Sequence, residues 1–208
     1  MSLPSTGFVF CCFNGNQKIL PEIFDLWMRV LAQTPGSVLW LLQGTQRATD
    51  NLRREASLRG ISPDRIVFAV PLEPREHLAR IKCADLFLDT LPYNAHTTAS
   101  DALWADVPVL TCEGATFAGR VASSLLHAID LEDLVTQTLD EYERMAIQLA
   151  RTPSMVAEIR SRLALNRMNA PLFDTQQTCR YIESAFTTVM KRFYRDEAPV
   201  SFAVRDVI

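Results

Sequence analysis

The sequence predicts a doubly wound parallel α/β sheet followed by a C-terminal helical extension. Short β-rich runs alternate with stretches of helical periodicity up to about residue 120, and only the helical pattern continues after that point. The β-rich runs are almost continuously apolar, which is typical of parallel strands that helices cover on both faces. A regular strand–helix–strand order builds such sheets.

The periodicity places each element in turn. Strands are predicted at residues 8–13, 37–43, 65–69, 84–89 and 107–111. Helices are predicted at residues 21–33, 49–59, 74–82, 118–126, 139–150, 154–166 and 175–195, with a further helix opening after His96. Pro21 suits a first helical position, Gly60 suits a helix stop, and Pro153 and Pro171 separate the last helices.

This pattern divides the chain into three parts. We expect a core at residues 7–130, a helical extension at residues 131–195 that packs on the same domain, and a tail at residues 196–208. The strand pattern begins abruptly at Gly7, which suggests a piece of a longer protein.

Composition excludes several classes of partner. The 208 residues, 48% of them hydrophobic, are enough for a full core. The net charge of −3, from 21 basic and 24 acidic residues, leaves no basic stripe for nucleic acid. The early apolar run at residues 8–13 is far short of the roughly 20 residues of a membrane span, and no signal peptide precedes it. We therefore expect a cytoplasmic protein with neither a nucleic-acid nor a membrane partner.

Cysteine and histidine spacing gives no metal motif. The five cysteines are scattered without C-x-x-C spacing, so we interpret them as buried thiols. The three histidines lack ligand spacing, and His127 at a predicted helix end is interpreted as structural. No Asp-x-Asp, G-x-G-x-x-G or P-loop motif occurs. Neither a metal nor a cofactor is expected.

The loop after the first predicted strand is the first candidate site. Ligands of open parallel sheets bind outside the carboxyl ends of the strands, so the loops at those ends are the strongest candidates for a binding site. Lys18 is placed where its ammonium can reach an anion, and Gly15 allows the backbone to approach a ligand closely. A polar loop with a solvated lysine is the alternative, and the pattern alone favours it.

The loop after the fourth predicted strand is the second candidate. Thr97 and Thr98 open a helix there, offering N–H groups, hydroxyls and the positive end of the helix dipole, and Asp101 can accept hydrogen bonds from sugar hydroxyls. Thr98-x-x-Asp101 also fits a capping box, which needs no ligand. Spacing leaves the two interpretations equal, and His96 adds little.

Two further features belong to the same edge of the predicted sheet. His77 and Arg80 lie three residues apart on one helical face, where an arginine plane can pack against a base. An ordinary charged surface helix is the alternative, and without other information it is preferred. The loop at residues 113–120 either borders a phosphate or uses its glycines for turns and packing.

Taken in order, these segments resemble the C-terminal catalytic lobe of the O-GlcNAc transferase family. The resemblance covers about residues 7–194 and is carried by the strings FNGNQKILP, SVLWLL, RIVF, HLARIKCADLFLDT, HTTASDALWADVPVLT, GATFAGRVASS and PLFDT. It implies a Rossmann-like lobe of a GT-B glycosyltransferase. It also implies an inverting, metal-free enzyme that moves N-acetylglucosamine from UDP-GlcNAc to serine or threonine hydroxyls of proteins.

The resemblance also assigns roles to residues. Lys18 would neutralise the departing diphosphate as the catalytic group, and a lysine at a helix N-terminus stabilises that charge where it develops. It also assigns Asn14 to the UDP-sugar site. His77 and Arg80 would line the uridine side, and Asp101 would bind the ribose. Thr97 and Thr98 would bind the phosphates, and His96 would lie near the phosphate and the sugar.

The sequence departs from the family pattern in two places. Gly15 replaces an amide side chain, with Asn16 and Gln17 as candidate substitutes, and Pro74 replaces a lysine, with Arg75 beside it as a candidate substitute. The tetratricopeptide repeats and N-terminal lobe of such enzymes, which would supply the acceptor-protein site, do not occur here, so the chain is expected to be inactive alone. Two alternatives remain: a related transferase using UDP-glucose, and a noncatalytic nucleotide-binding module.

Overall fold

A computed structural model describes residues 3–204 and contains a six-stranded parallel sheet. The strands are β1 (Val9–Cys12), β2 (Val38–Leu42), β3 (Ile66–Ala69), β4 (Leu86–Leu88), β5 (Val109–Cys112) and β6 (Val135–Thr136). Their order across the sheet is β3-β2-β1-β4-β5-β6, and every pair is parallel. Because right-handed crossovers run outward in both directions from β1 and β4, the connecting helices cover both faces. The predicted α/β fold class is confirmed.

Eight α-helices surround the sheet within the described residues. They are α1 (Pro21–Gln33), α2 (Gln46–Leu58), α3 (Pro74–Ile81), α4 (Thr97–Trp104), α5 (Val121–His127), α6 (Leu139–Arg151), α7 (Pro153–Asn169) and α8 (Thr175–Phe193). Proline occupies the first turn of α1, α3 and α7, where its missing N–H has no intrahelical partner to lose. The predicted start of α2 is three residues late, because Thr45 caps the helix and lets it begin at Gln46.

The sequence pattern missed β6. Val135 pairs with Thr111 and Thr136 with Cys112, and the Thr136 hydroxyl donates to the Thr111 carbonyl at 3.0 Å. A strand of two residues is too short to show a periodicity, so the expectation that strands stop before this point was wrong. The sheet therefore continues into the segment expected to be purely helical. In that segment α6 and α7 bury side chains, whereas α8 buries none.

The core contains one polar link that joins two helices to the end of β4. Trp27 of α1 and Tyr142 of α6 are each at most 1% exposed. The indole Nε1 donates to the Tyr142 hydroxyl at 3.3 Å, and that hydroxyl donates to the Asp89 carbonyl at 3.0 Å. Buried polar groups are stabilised when they are hydrogen-bonded to each other, so this link fixes the carboxyl end of β4 within an apolar core.

The cysteines divide into two groups. Cys11, Cys12 and Cys112 are buried, as expected, and burial raises the pKa of each thiol. Cys83 and Cys179 are exposed, so the prediction of buried thiols is wrong for these two: Cys83 lies in the turn after α3, and α8, which carries Cys179, buries no residue. All five are free.

Two further expectations concern the surface and the end of the chain. No helix in residues 3–204 is long and apolar enough to cross a membrane. The predicted tail at residues 196–208 is described only as far as residue 204, and its last four residues lie outside the described part.

Candidate functional site

Three loops meet at the carboxyl edge of the sheet, beside the point where the strand order reverses. They follow β1, β4 and β5. The Asn14 amide of the first loop donates to the Thr90 hydroxyl of the second at 2.7 Å. The Asn94 N–H of the second loop donates to the Ala118 carbonyl of the third at 2.9 Å. Ligands of open α/β sheets bind at such a switch point, so this is the place to look for a site.

Asp89 is the buried centre of these loops. It follows β4 directly and is only 2% exposed. Its carboxylate accepts from the N–H groups of Thr90 at 2.7 Å and Ala95 at 2.6 Å, from the Thr111 hydroxyl at 2.7 Å and from the Asn14 amide at 3.3 Å. Desolvation raises the pKa of Asp89 to about 7. The hydrogen bonds lower the pKa, but their effect is smaller than that of desolvation. Sequence reasoning missed this role, although a carboxylate directly after an apolar strand was a signal for it.

Lys18 stands at the open side of the same loops. It ends the 3₁₀ turn Asn16–Lys18, its ammonium donates to the Asn94 carbonyl at 2.8 Å, and it lies 3.9 Å from the centre of the Tyr93 ring. Desolvation lowers the pKa of Lys18, while Asp89 and Cys12 act in the opposite direction. Across residues 3–204, no carboxylate comes within ion-pair distance of it. Lys18 is therefore a half-buried cation that contacts a carbonyl and an aromatic ring and has no ion-pair partner among the described residues.

The N-terminus of α4 adjoins Lys18 and carries no side-chain cap. Its N-cap residue is His96, which makes no capping hydrogen bond. The capping-box interpretation is wrong, because Thr98 lies inside the helix and its hydroxyl donates to the Asn14 Oδ1 at 2.6 Å. The first N–H groups of a helix lack intrahelical acceptors, so those of Thr97 and Thr98 remain available to an anion.

Aromatic rings continue the site beyond His96. The rings of Tyr93 and His96 stack with centroids 5.1 Å apart and an interplanar angle of 22°, and Phe117 meets His96 edge-on at 6.3 Å. The His96 Nε2 is buried and has no hydrogen-bond partner in the described part of the chain. Tyr93 and Phe117 were not identified from the sequence, since exposed aromatic residues in loops have no periodicity to reveal them.

His77 and Arg80 of α3 meet the first loop through Phe13. The Arg80 Nε donates to the His77 Nδ1 at 3.0 Å. The Arg80 guanidinium carbon lies 5.5 Å from the centre of the Phe13 ring, and the centre of the His77 ring lies 5.1 Å from it. Arg80 also donates to the Val70 carbonyl. Desolvation and, to a smaller extent, the charge of Arg80 lower the pKa of His77, whereas the charge of Asp101 raises it. Because the Arg80 Nε donates to the His77 Nδ1, the neutral imidazole would carry its proton on Nε2.

Asp101 lies on α4, which packs against α3, and it interacts electrostatically with His77. Desolvation raises the pKa of Asp101, and His77 lowers it. The structure thus brings the predicted residues together in two groups joined by the hydrogen bond between Asn14 and Thr98. The first group contains Lys18, His96, Thr97 and Thr98, and the second group contains His77, Arg80 and Asp101.

The two departures from the family pattern have different surroundings. A side chain at Gly15 would occupy the space that the Gln17 carboxamide fills, since an ideal Cβ there lies 2.5 Å from the Gln17 Oε1. The amide of Gln17 thus covers the position where an amide was expected. Pro74 is the first residue of α3, and Arg75 beside it is exposed.

The third loop uses its glycines for packing. A Cβ on Gly119 would come 2.9 Å from the Pro92 carbonyl, and the Gly114 N–H donates to the Gly119 carbonyl at 2.7 Å. The turn-and-packing interpretation therefore holds for this loop. His127 lies exposed at the C-terminal end of α5, at the opposite end of the sheet from the three loops. Within residues 3–204, no group of three or more His, Cys, Asp or Glu side chains could hold a metal ion.

Comparison with known proteins places this arrangement in a family. The family model described as glycosyl transferase family 41 matches residues 1–182. The chain is 36% identical over 191 residues to the UDP-N-acetylglucosamine–peptide N-acetylglucosaminyltransferase of Caenorhabditis elegans, covering 92% of the chain and 17% of that relative. The chain thus spans about a fifth of the length of such relatives.

Solved structures show the same fold. A mutant O-GlcNAc transferase from Thermobaculum terrenum superposes with a TM-score of 0.78 and 35% identity, over 93% of this chain and 36% of that one. HepE from Anabaena, solved with UDP and glucose, superposes with a TM-score of 0.60 over 86% of this chain and 48% of its own, and at 17% identity it shows the fold alone. The predicted lobe of a GT-B glycosyltransferase is confirmed, and the chain belongs to glycosyl transferase family 41.

Proposed function

We propose that this chain is the donor-binding part of an inverting, metal-independent transferase that moves N-acetylglucosamine from UDP-GlcNAc to protein hydroxyls in the cytoplasm. The names of the relatives, which describe UDP-N-acetylglucosamine–peptide transferases, support the substrate class. The rest of such an enzyme would supply the acceptor site. Alone, the chain is expected to bind the donor weakly and to transfer no sugar.

One observation carries the proposal: an unneutralised ammonium and an uncapped helix N-terminus share one edge of the sheet. Lys18 is bound to the Asn94 carbonyl, three residues before Thr97 opens α4. Breaking the bond between sugar and phosphate leaves additional negative charge on UDP. A fixed cation and aligned N–H dipoles stabilise that charge as it develops, which is the role that a metal ion takes in other enzymes.

The second group, His77, Arg80 and Asp101, supports a nucleoside as the remainder of the ligand. Arg80 and His77 present planar groups beside Phe13, and Asp101 adds an acceptor for ribose hydroxyls. The hydrogen bond between Asn14 and Thr98 joins the Lys18 group to the Asp101 group. A ligand with a nucleoside at one end and a diphosphate at the other would contact both groups.

Lys18→Ala tests the proposal by calorimetry on the 208-residue chain with UDP and with uridine. Loss of a charge-assisted bond is expected to weaken UDP binding by roughly 1.5–3 kcal/mol and uridine binding much less, because uridine has no phosphate. Lys191→Ala is the matched control, since Lys191 is exposed on α8, far along the chain from the site. Equal losses for UDP and uridine, or none for UDP, would exclude Lys18 as the diphosphate ligand.

The metal question has its own measurement. UDP titrations in EDTA and in millimolar Mg²⁺ or Mn²⁺ should give the same affinity within about twofold, because Lys18 and α4 supply the positive potential. An affinity that collapses on chelation would refute the metal-independent reaction. Product anomer analysis by NMR, on an enzyme that contains this chain and its catalytic partner lobe, tests inversion.

The alternative of a noncatalytic module rests on Gly15 and Pro74. Gln17 covers Gly15 with an amide, which weakens one of these two arguments. Gln17→Ala should therefore reduce UDP affinity if the amide replaces the missing side chain. Unchanged affinity would leave the departure at Gly15 uncompensated and favour the noncatalytic module.

A further inference from the structure

Within residues 3–204, the Lys18 ammonium directly contacts two neutral groups, one of which is an aromatic ring. The ammonium lies 2.8 Å from the Asn94 carbonyl and 3.9 Å from the centre of the Tyr93 ring. A cation over an aromatic face is attracted by the ring quadrupole, and the ring carries no formal charge that would compete with an anionic ligand. The two contacts therefore fix the ammonium without cancelling its charge.

The Tyr93 ring is itself held in place. It stacks on His96 at 5.1 Å, and the Tyr93 carbonyl accepts the Thr90 hydroxyl at 2.7 Å, in the loop that closes on Asp89. The ring is nevertheless 47% exposed, so packing in the core does not explain a large aromatic residue here. Its exposed position is beside Lys18 and the start of α4, where the phosphates are proposed to bind.

Asp89 could otherwise have been the partner of Lys18. Its carboxylate is buried beneath the loop and accepts hydrogen bonds from Thr90, Ala95, Thr111 and Asn14. It acts on Lys18 only through space and forms no ion pair with it. The position of the Lys18 ammonium is thus determined by the Tyr93 ring and the Asn94 carbonyl.

We propose that Tyr93 is a positioning residue, whose ring face holds the Lys18 ammonium at the N-terminus of α4 so that its full charge meets a diphosphate. This inference rests on the proposed function, because it requires UDP to bind at Lys18. It assigns the role to the ring and gives none to the hydroxyl.

Three variants of Tyr93 test the role of the ring by UDP and uridine calorimetry. Tyr93→Phe keeps the ring and should bind UDP like the wild type. Tyr93→Leu removes the ring and should weaken UDP binding about fivefold, the effect of one exposed cation–π contact, while uridine binding stays the same. Tyr93→Gln repeats the loss of the ring with a polar side chain, in case the leucine variant melts early. Tyr194→Leu, at an exposed tyrosine that ends α8, is the control and should change neither affinity.

A double-variant cycle shows whether Tyr93 acts through Lys18. In the Lys18→Ala background, Tyr93→Leu should cause no further loss of UDP affinity, since the cation that the ring holds is absent. An equal loss in both backgrounds would mean that the ring contacts the ligand directly, and it would overturn the inference. So would a phenylalanine variant as weak as the leucine variant.

The outcomes also separate this inference from the function on which it rests. If Lys18→Ala weakens UDP binding and the ring variants do not, the diphosphate site stands and the role of Tyr93 is refuted. If UDP affinity is insensitive to Lys18, the proposed function fails first, and the inference fails with it.

Discussion

Helices α2 and α4 both begin at the carboxyl edge of the sheet, yet their N-termini are treated in opposite ways. At α2, the Thr45 side chain accepts from the Ala48 N–H at 3.2 Å and satisfies a donor locally. At α4, no side chain caps the helix, and the Thr98 hydroxyl is used by Asn14 instead. A capped N-terminus needs no ligand, whereas an uncapped one beside a fixed cation is suited to an anion.

The surroundings of the two helices differ in the same sense. The α2 helix is highly charged and buries only Thr49 and Ala56. The loop before α4 is closed over a buried carboxylate and two threonine hydroxyls, and it brings Lys18 to the helix start. The polar groups around α4 are thus organised by contacts between loops, whereas the start of α2 is satisfied by its own N-cap.

The largest effect should come from Asp89→Asn, which replaces one of the two accepting oxygens of the buried carboxyl group by an NH₂ group. The asparagine nitrogen cannot accept hydrogen bonds, so buried donors among Thr90, Ala95 and Thr111 lose their acceptor. A loss of about 3 kcal/mol in the free energy of unfolding is expected from such a buried network. Urea unfolding measures it, with exposed Asp64→Asn as the control at which stability should change by less than about 0.5 kcal/mol.

The same pair of variants gives a pH dependence. Burial raises the pKa of Asp89 from 3.8 to about 7, so the folded state holds this proton more tightly than the unfolded state does. Its contribution to stability is fully present below pH 3.8 and is lost as the pH rises towards 7. Between these limits the wild type should lose stability more steeply than Asp89→Asn. Parallel pH profiles would contradict the raised pKa.

Thr45→Ala should produce a purely structural loss at α2. Removing an N-cap side chain costs about 1 kcal/mol, and the ordinary range is roughly 0.5–2 kcal/mol. Because α2 lies outside the proposed site, UDP affinity should remain that of the wild type. Thermal unfolding and UDP calorimetry on the same sample measure both quantities, and a matching fall in UDP affinity would show that α2 also belongs to the site.

Thr98→Val should combine a similar structural loss with a functional one. It removes the bond to the Asn14 Oδ1 and leaves that buried atom without its donor, at a cost of about 1 kcal/mol in unfolding free energy. The bond also holds the first loop against α4, so UDP binding should weaken, in contrast to the Thr45 variant. If Thr45→Ala and Thr98→Val affect UDP equally, the contrast between the two helix starts has no functional meaning.

Asp101→Asn should have the smallest effect on stability, less than about 0.5 kcal/mol, because Asp101 caps no helix end. UDP and uridine both contain the ribose that Asp101 is proposed to bind, so the variant should weaken the two ligands by the same factor. Calorimetry with both ligands distinguishes it from Lys18→Ala, which should affect UDP selectively. A selective effect at Asp101 would place it at the phosphates instead.

The elements of the fold were largely predictable, and the exceptions have local causes. Five strands and all eight α-helices of the described residues follow from local patterns, namely apolar periodicity and helix start and stop signals, which depend on neighbours a few residues apart. The strand β6 was missed because two residues carry no period, and the start of α2 was misplaced because the Thr45 cap precedes the apolar pattern. The exposed Cys83 and Cys179 show that residue type alone does not predict burial.

The candidate site was predictable as a set of positions but not as a set of contacts. Lys18 and Thr97 were found because they follow strands, and Lys18, Asn14 and Thr98 were assigned roles by the family resemblance. The pattern could not choose between a capping box and a ligand site at Thr98, because both use the same spacing. Asp89 was recognised as a strand end, without the four donors that converge on it.

Local sequence patterns were enough to order the strands and helices and to locate the chemically active residues at the carboxyl ends of the strands. The partners of these residues depend on the tertiary structure. Asn14 meets Thr98 across 84 positions of the chain, and Lys18 meets Asn94 across 76. Contacts of that separation form when the parallel strands align, and no local pattern of residues contains them. The fixed, unneutralised charge of Lys18 is therefore a property of the folded sheet edge.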